Sequence, residues 1–216
     1  MEVKVCGLAQ ADNLSAVLDL SVDYVGLIFY PKSKRYAASD TLRKWIAGHA
    51  DRFGATKKVG VFVNAEVDAI LNAVHDYQLD YVQLHGDESP SYCRELRMIW
   101  SVDRLRKAQI IKAFSVNPSF NFATTAEYAD TCALFIFDTG GHAERGGTGK
   151  RWDWERLSEY RGTTPFLLSG GISPDDAPAV QQIQHPAFRG VDLNSKFESA
   201  PGVKDVTKLQ SFLDRV

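Results

Sequence analysis

Residues 3–10, Val3-Lys4-Val5-Cys6-Gly7-Leu8-Ala9-Gln10, open the chain with a β-branched run that ends at a single glycine. In a doubly wound open sheet the first strand usually turns into a helix through G-x-G-x-x-G, whose glycines let backbone amides approach a phosphate. That turn is absent here, so the run reads as the first strand of a different parallel fold. Comparable apolar runs recur at 24–29, 59–63, 81–84, 110–114, 134–137, 166–168 and 191–193. Between them apolar residues take helical spacing, as in Leu14, Val17 and Leu18 or Ile70, Leu71 and Val74, and Ser173-Pro174 supplies a cap followed by a first-turn proline. Eight runs in 216 residues leave about 27 residues each, the size of a strand-loop-helix-loop unit, and no Pro/Gly/Ser-rich linker interrupts the series. The expected fold is α/β: a single (β/α)8 TIM barrel, parallel and eight-stranded, spanning residues 1–216.

Composition agrees with one full-sized core, since 44% of the residues are hydrophobic. Lys plus Arg number 25 and Asp plus Glu 27, giving a net charge of -2 without long like-charge blocks, which argues against nucleic acid or an acidic membrane surface as partner. The longest apolar runs, near 25–30 and 132–137, fall far short of the roughly 18 residues that cross a bilayer. Met1-Glu2-Val3-Lys4 enters the first strand pattern without the regions of a secretory signal, so a cytoplasmic protein is expected. Cys6, Cys93 and Cys132 are odd in number and widely spaced, suggesting neither a disulfide framework nor a zinc knuckle. His49, His75, His142 and His185 have no partner at metal-ligand spacing, and no metal is expected.

Small and polar residues follow the strand runs: Cys6-Gly7, the segment 30–35, His85-Gly86-Asp87, Asp138-Thr139, Ser169-Gly170-Gly171 and Asn194-Ser195. In a barrel these all meet at the C-terminal face, where barrel enzymes carry their chemistry. Gly170 and Gly171 after the seventh run, with Asn194 and Ser195 after the eighth, fit a phosphate cradle of free backbone N–H groups. Either pair alone reads equally well as an ordinary tight turn; both at these strands favour the anion. Asp138 ends the most apolar run, which puts a carboxylate at the barrel mouth, beside a glycine-rich segment 140–150 that reads as a flap. Capping the next turn is the plainer role for Asp138. Cys6 also points into the mouth, although a cysteine at a strand end is more commonly core filler. Cys93, in a helix pattern with Leu96 and Trp100, and Cys132, at the start of a buried run, keep that plain reading. Arg35 offers a planar fork to a substrate carboxylate, against the alternative of a solvated loop rich in cations. His85 either donates to a substrate or holds its loop.

The combination K-V-C-G-L at 4–8, D-Y-V-G-L-I-F-Y-P-K-S-K-R-Y at 23–36, V-G-V-F-V-N at 59–64, V-Q-L-H-G-D-E at 82–88, F-D-T with G-G-T-G-K-R-W-D-W within 137–154, L-S-G-G-I at 168–172, V-D-L-N-S at 191–195 and E-S-A-P-G-V-K-D at 198–205 resembles the phosphoribosylanthranilate isomerase family. The resemblance runs through all eight units in order. It implies a cofactor-free enzyme of tryptophan biosynthesis that converts N-(5-phosphoribosyl)anthranilate to its 1-deoxyribulose 5-phosphate isomer. By this resemblance Cys6 is the general base, Asp138 the general acid, and Arg35 the carboxylate ligand. Lys4, His85 and Asp192 join Arg35 in the expected substrate-binding set, and Gly147 joins Gly170, Gly171, Asn194 and Ser195 in the phosphate-binding set. The expected partner is a small phosphosugar substrate, and the expected assembly a monomer or homodimer.

An ordinary aspartate titrates near 3.9 and a cysteine near 8.5, so the acid and base roles require a site that shifts both. The chain departs from the family at Ser195-Lys196-Phe197-Glu198, where S-G-V-E is common; a side chain at Lys196 either contacts the anion or faces solvent. Two alternatives stay open at this point. The related histidine-pathway isomerase carries an aspartate in place of Cys6 and needs a second phosphate site, for which the early half offers no Gly-rich loop. A non-catalytic phospho-ligand barrel would have no need of both Cys6 and Asp138.

Overall fold

The computed structural model describes residues 1–102, 108–139 and 152–216. Eight parallel strands close on themselves in chain order: β1 (Glu2–Cys6), β2 (Tyr24–Ile28), β3 (Lys57–Phe62), β4 (Tyr81–Leu84), β5 (Gln109–Val116), β6 (Leu134–Thr139), β7 (Phe166–Leu168) and β8 (Phe188–Leu193). Closure is made by β8 against β1, with Lys4 opposite Asp192. Each strand coincides with one of the apolar runs, because a parallel strand buried on both faces needs apolar residues at successive positions.

The first half alternates strand and helix as expected, with α1 (Ala11–Leu18), α2 (Asp40–Gly48), α3 (Val67–Asp76) and α4 (Pro90–Val102). In the second half the alternation continues with tighter turns. A 3₁₀ segment, Phe122–Tyr128, stands between β5 and β6, and another, Trp154–Glu159, precedes β7. In the first of these the Thr124 and Thr125 hydroxyls donate to the carbonyls of Asn121 and Phe122, three residues back, at 2.8 Å each. Such local bonds compete with the i to i-4 ladder of an α-helix. After β7 the chain makes a 3₁₀ turn, Pro174–Asp176, whose start is tied by the Asp176 carboxylate accepting from the Ser173 amide and hydroxyl, and continues as the short α5 (Ala177–Gln181). After β8 comes a 3₁₀ turn, Ser195–Phe197, then the hairpin β9 (Glu198–Ala200) and β10 (Val203–Lys204), and finally α6 (Val206–Leu213).

Strand alternation sorts side chains into two cores. Tyr24, Val59, Ile111, Ala113, Leu134, Ile136 and Leu167 pack inside the barrel. Their neighbours along the strands, such as Val25, Val82, Phe135 and Phe137, pack outward against the helix layer through Leu14, Leu42, Ile70 and Leu96. The interior core stops short of the C-terminal rim, where interior positions become polar or reactive: Cys6, His85, Asp138 and Ser169. Among the described residues no helix is long and apolar enough to cross a membrane.

Candidate active site

On β1 the interior positions are Glu2, Lys4 and Cys6. Cys6 is buried and sits opposite Gly26 of β2, where a Cβ would lie 2.8 Å from the Cys6 Sγ; glycine at 26 is what leaves the thiol its space. One layer below, Lys4 is fully buried and its Nζ donates to Asp192 Oδ1 at 2.9 Å. Burial opposes the Lys4 charge, but Asp192 and Cys6 outweigh it and hold the ammonium above the ordinary lysine value. Burial likewise pushes the Asp192 carboxyl up. The Cys6 thiol is pushed up by burial, while the ammonium groups of Lys4 and Lys204 pull the other way and stabilise its thiolate.

Asp138 lies at the rim of β6, three strands from β1 around the closed barrel and therefore across the mouth from it. Its Oδ1 accepts from the Thr139 amide at 2.8 Å, and its Oδ2 lies 3.2 Å from His85 Nε2. The next strand crowds against it: Gly170 has φ +92°, and a Cβ there would come within 2.8 Å of Asp138 Oδ1. His85 follows β4, and its other ring nitrogen, Nδ1, is 3.0 Å from the amide nitrogen of Gln83. The turn carrying His85 is fastened from outside the barrel. Lys112 of β5, buried, donates to the carbonyls of Leu84 (3.1 Å) and Gly86 (2.9 Å) and to Glu88 Oε2 (3.2 Å), and Glu88 in turn accepts from the amides of Asn64 and Gly86.

Arg35, in the loop after β2, donates through Nε and Nη2 to the two carboxylate oxygens of Glu198, both at 2.8 Å. Glu198 Oε1 also accepts from Lys204 Nζ at 2.7 Å, and the same ammonium reaches Asn194 Oδ1 at 2.7 Å. Burial opposes the Glu198 charge, yet the two cations overcome it and hold its carboxyl below the usual range. The loops after the adjacent strands β7 and β8 stand side by side. Gly171 takes φ +72°, and the amides of Gly171 and Ser195 have no protein acceptor among the described residues. Lys196 is exposed, whereas Phe197 packs edge-on to Phe212, so the side chain that replaces the usual glycine turns outward to solvent.

A cysteine and an aspartate opposed across the mouth, a bidentate cation on the rim, and open amides on two neighbouring loops form the setting of an acid–base reaction on an anionic ligand. A family model described as N-(5'phosphoribosyl)anthranilate isomerase matches residues 3–215. The chain belongs to this family. The N-(5'-phosphoribosyl)anthranilate isomerase of Parabacteroides distasonis is 42% identical over 216 residues, covering 100% of this chain and 93% of that protein. The crystal structure of phosphoribosyl anthranilate isomerase from Thermotoga maritima is similar with a TM-score of 0.79 at 30% identity, covering 100% of this chain and 98% of that one. A phosphoribosyl anthranilate isomerase structure in complex with reduced 1-(o-carboxyphenylamino)-1-deoxyribulose 5-phosphate is similar with a TM-score of 0.77 at 29% identity, covering 100% and 97% of the two chains. Membership of the phosphoribosylanthranilate isomerases decides against the histidine-pathway enzyme and against a non-catalytic barrel.

Of the residues expected from sequence, the structure brings Cys6, Lys4 and Asp192 into one buried cluster, His85 against Asp138, and Gly170, Gly171, Asn194 and Ser195 onto adjoining loops. Lys4 and Asp192 occupy each other rather than the open mouth. Gly147 and the segment 140–150 lie outside the described residues. Sequence reading missed Gln83, Glu198, Lys204 and the pair Lys112–Glu88. Signals were available for all but Gln83: a lysine inside the apolar run 110–114 demands a buried partner, and oppositely charged residues flank the Pro201-Gly202 turn.

Proposed function

We propose that the chain isomerises N-(5'-phosphoribosyl)anthranilate to 1-(2-carboxyphenylamino)-1-deoxyribulose 5-phosphate, with Cys6 as base and Asp138 as acid. The observation that carries this reading is the placement of Cys6 on β1 and Asp138 on β6, both on the interior side at the C-terminal rim. The substrate nitrogen pushes its lone pair toward C1, the bond from C1 to the furanose oxygen breaks, and Asp138 gives that oxygen its proton. An iminium is left at C1, acidifying C2. The Cys6 thiolate then takes the C2 proton, the C–H electron pair forms the C1–C2 double bond, and the iminium electrons return to nitrogen. The resulting enolamine tautomerises to the ketone. Because the nitrogen is the electron sink, the chemistry closes with these two groups alone. Lys4 and Lys204 favour the thiolate. Arg35 takes the anthranilate carboxylate, and the amides around Gly170, Gly171, Asn194 and Ser195 take the phosphate. His85 supports Asp138. The setting is the cytoplasm, with the chain as a monomer or homodimer.

The test is a steady-state assay with freshly generated phosphoribosylanthranilate, followed by loss of its fluorescence. Cys6→Ala and Asp138→Asn are each expected to lower kcat by roughly 10²- to 10⁴-fold, the usual contribution of a positioned acid or base, while Cys93→Ala and Cys132→Ala leave kcat near wild type. Since burial holds the Cys6 thiol high, its thiolate fraction, read as the ultraviolet thiolate absorbance that is lost in Cys6→Ala, is expected to grow as pH rises into the alkaline range. Near-normal kcat in Cys6→Ala would return the thiol to core filler.

A further inference from the structure

Gln83 is 1% exposed, on the interior side of β4 one alternation below His85. Its amide nitrogen lies 3.0 Å from His85 Nδ1, and its amide oxygen is buried without a hydrogen-bond partner among the described residues. His85 Nε2 is 3.2 Å from Asp138 Oδ2. These contacts make one chain, Gln83–His85–Asp138, running from the barrel interior to the acid, in which Gln83 meets the ring through a single contact.

The kind of bond it gives is tied to the protons beyond it. With the amide nitrogen toward the ring, Nδ1 must be a bare acceptor; Nε2 then carries the hydrogen and donates to an ionised Asp138. A half turn of the amide, through a torsion that is broadly two-fold, presents the oxygen in the same space. Nδ1 must then carry a hydrogen, so the pair holds one more proton, shared between His85 Nε2 and Asp138 Oδ2. Only this second state has a proton to deliver to a ring oxygen.

We propose that Gln83 is a positioning residue whose amide turns with the proton content of the His85–Asp138 pair, oxygen inward when the acid is loaded and nitrogen inward once its proton has gone. The inference rests on Asp138 being the acid. Among the described residues, the charged groups nearest this chain of contacts on the neighbouring strands are paired: Asp192 on β8 with Lys4 on β1, and Lys112 on β5 with Glu88 in the turn behind it. Cys6 stands across the mouth on β1, and the strands flanking β4 bring uncharged Val61 and Ala113 to the interior side. Gln83 is thus the group in contact with Nδ1, and the state of that nitrogen follows it.

Two variants test this. Gln83→Glu, once ionised, only accepts and so favours Nδ1–H; it is expected to retain the shared proton to higher pH, moving the limb of the kcat/KM profile on which the acid is lost upward by one pH unit or more, a tenfold change in proton affinity. Gln83→Met fills the space without a bond. In the wild type, nitrogen-15 spectra of the deprotonated ring are expected to show hydrogen on Nε2 alone, and in Gln83→Met a mixture of both tautomers. A profile that keeps its limbs in Gln83→Glu while only its height falls, or a ring that stays wholly Nε2–H in Gln83→Met, overturns the proposal. If Gln83→Glu does not fold, the spectra of Gln83→Met decide. They need no turnover, so they judge Gln83 separately from the acid role, which stands or falls with Asp138→Asn.

Discussion

Arg35 shows how much of a candidate site residue's behaviour is set by residues far away in sequence. Its fork was legible from residue type, since a guanidinium offers two parallel N–H groups that a lysine cannot. Its partner was not legible. Glu198 stands 163 positions later, and only closure of β8 onto β1 brings the hairpin of β9 and β10 over the loop after β2. Glu198 is therefore shared between Arg35 and Lys204, and the guanidinium is held in one orientation before any ligand arrives, which lowers the entropy lost on binding. Arg35→Lys keeps the charge and loses both the clasp and the fork. We expect KM to rise by about 10- to 160-fold, corresponding to the roughly 1.5–3 kcal/mol of a charged hydrogen bond. Unchanged KM and kcat would show that the guanidinium does not meet the substrate.

At the scale of elements, the strands were readable because each is buried on both faces, so the apolar signal is continuous and its period need not be resolved. The connections of the second half were not. The segments around 122–128 and 154–159 carry enough apolar residues for a helix, but their hydroxyl and carboxylate side chains bond to nearby backbone, as Thr124, Thr125 and Asp153 do, and tighten the turns into 3₁₀ form. The turn after β4 shows the converse, an irregular segment made rigid. Glu88 accepts from two loop amides and from Lys112, and both partners of the ion pair are almost fully buried. Removing one charge leaves the other without compensation, which costs about 3–5 kcal/mol in comparable buried pairs. The Leu84, Gly86 and Ala113 carbonyls retain part of the Lys112 solvation, so the low end of that range applies. Glu88→Gln is expected to lower Tm by about 6–12 °C, taking roughly 2–4 °C per kcal/mol for a chain of this size. A thermal unfolding midpoint within about 2 °C of wild type would mean that the turn is held by its backbone bonds alone.

For the whole molecule, the consequence of a closed barrel is that the first and last strands are neighbours. Cys6 on β1 therefore lies beside the loop after β8, and Lys204, beyond that loop, joins Lys4 in stabilising a Cys6 thiolate. The proposed anion cradle lies on the loops after β7 and β8, with Gly171 at φ +72° and Ser195 at the head of its 3₁₀ turn, and those loops are brought side by side by the pairing of the two strands. An unfolded chain has no such arrangement, so an anion that occupies the cradle stabilises the fold by RT ln(1 + [L]/Kd). Inorganic phosphate at ten times its dissociation constant should contribute about 1.4 kcal/mol, raising Tm by roughly 3–6 °C. Potassium chloride at matched ionic strength should not reproduce the rise, since screening does not distinguish the anions in the way directed amides do. Phosphate should also inhibit turnover competitively, with an inhibition constant equal to the dissociation constant from the Tm series. A rise in Tm without competition would place the ion away from the catalytic mouth. No rise at any phosphate concentration would remove the amides of Gly171 and Ser195 from the binding of the substrate's phosphate.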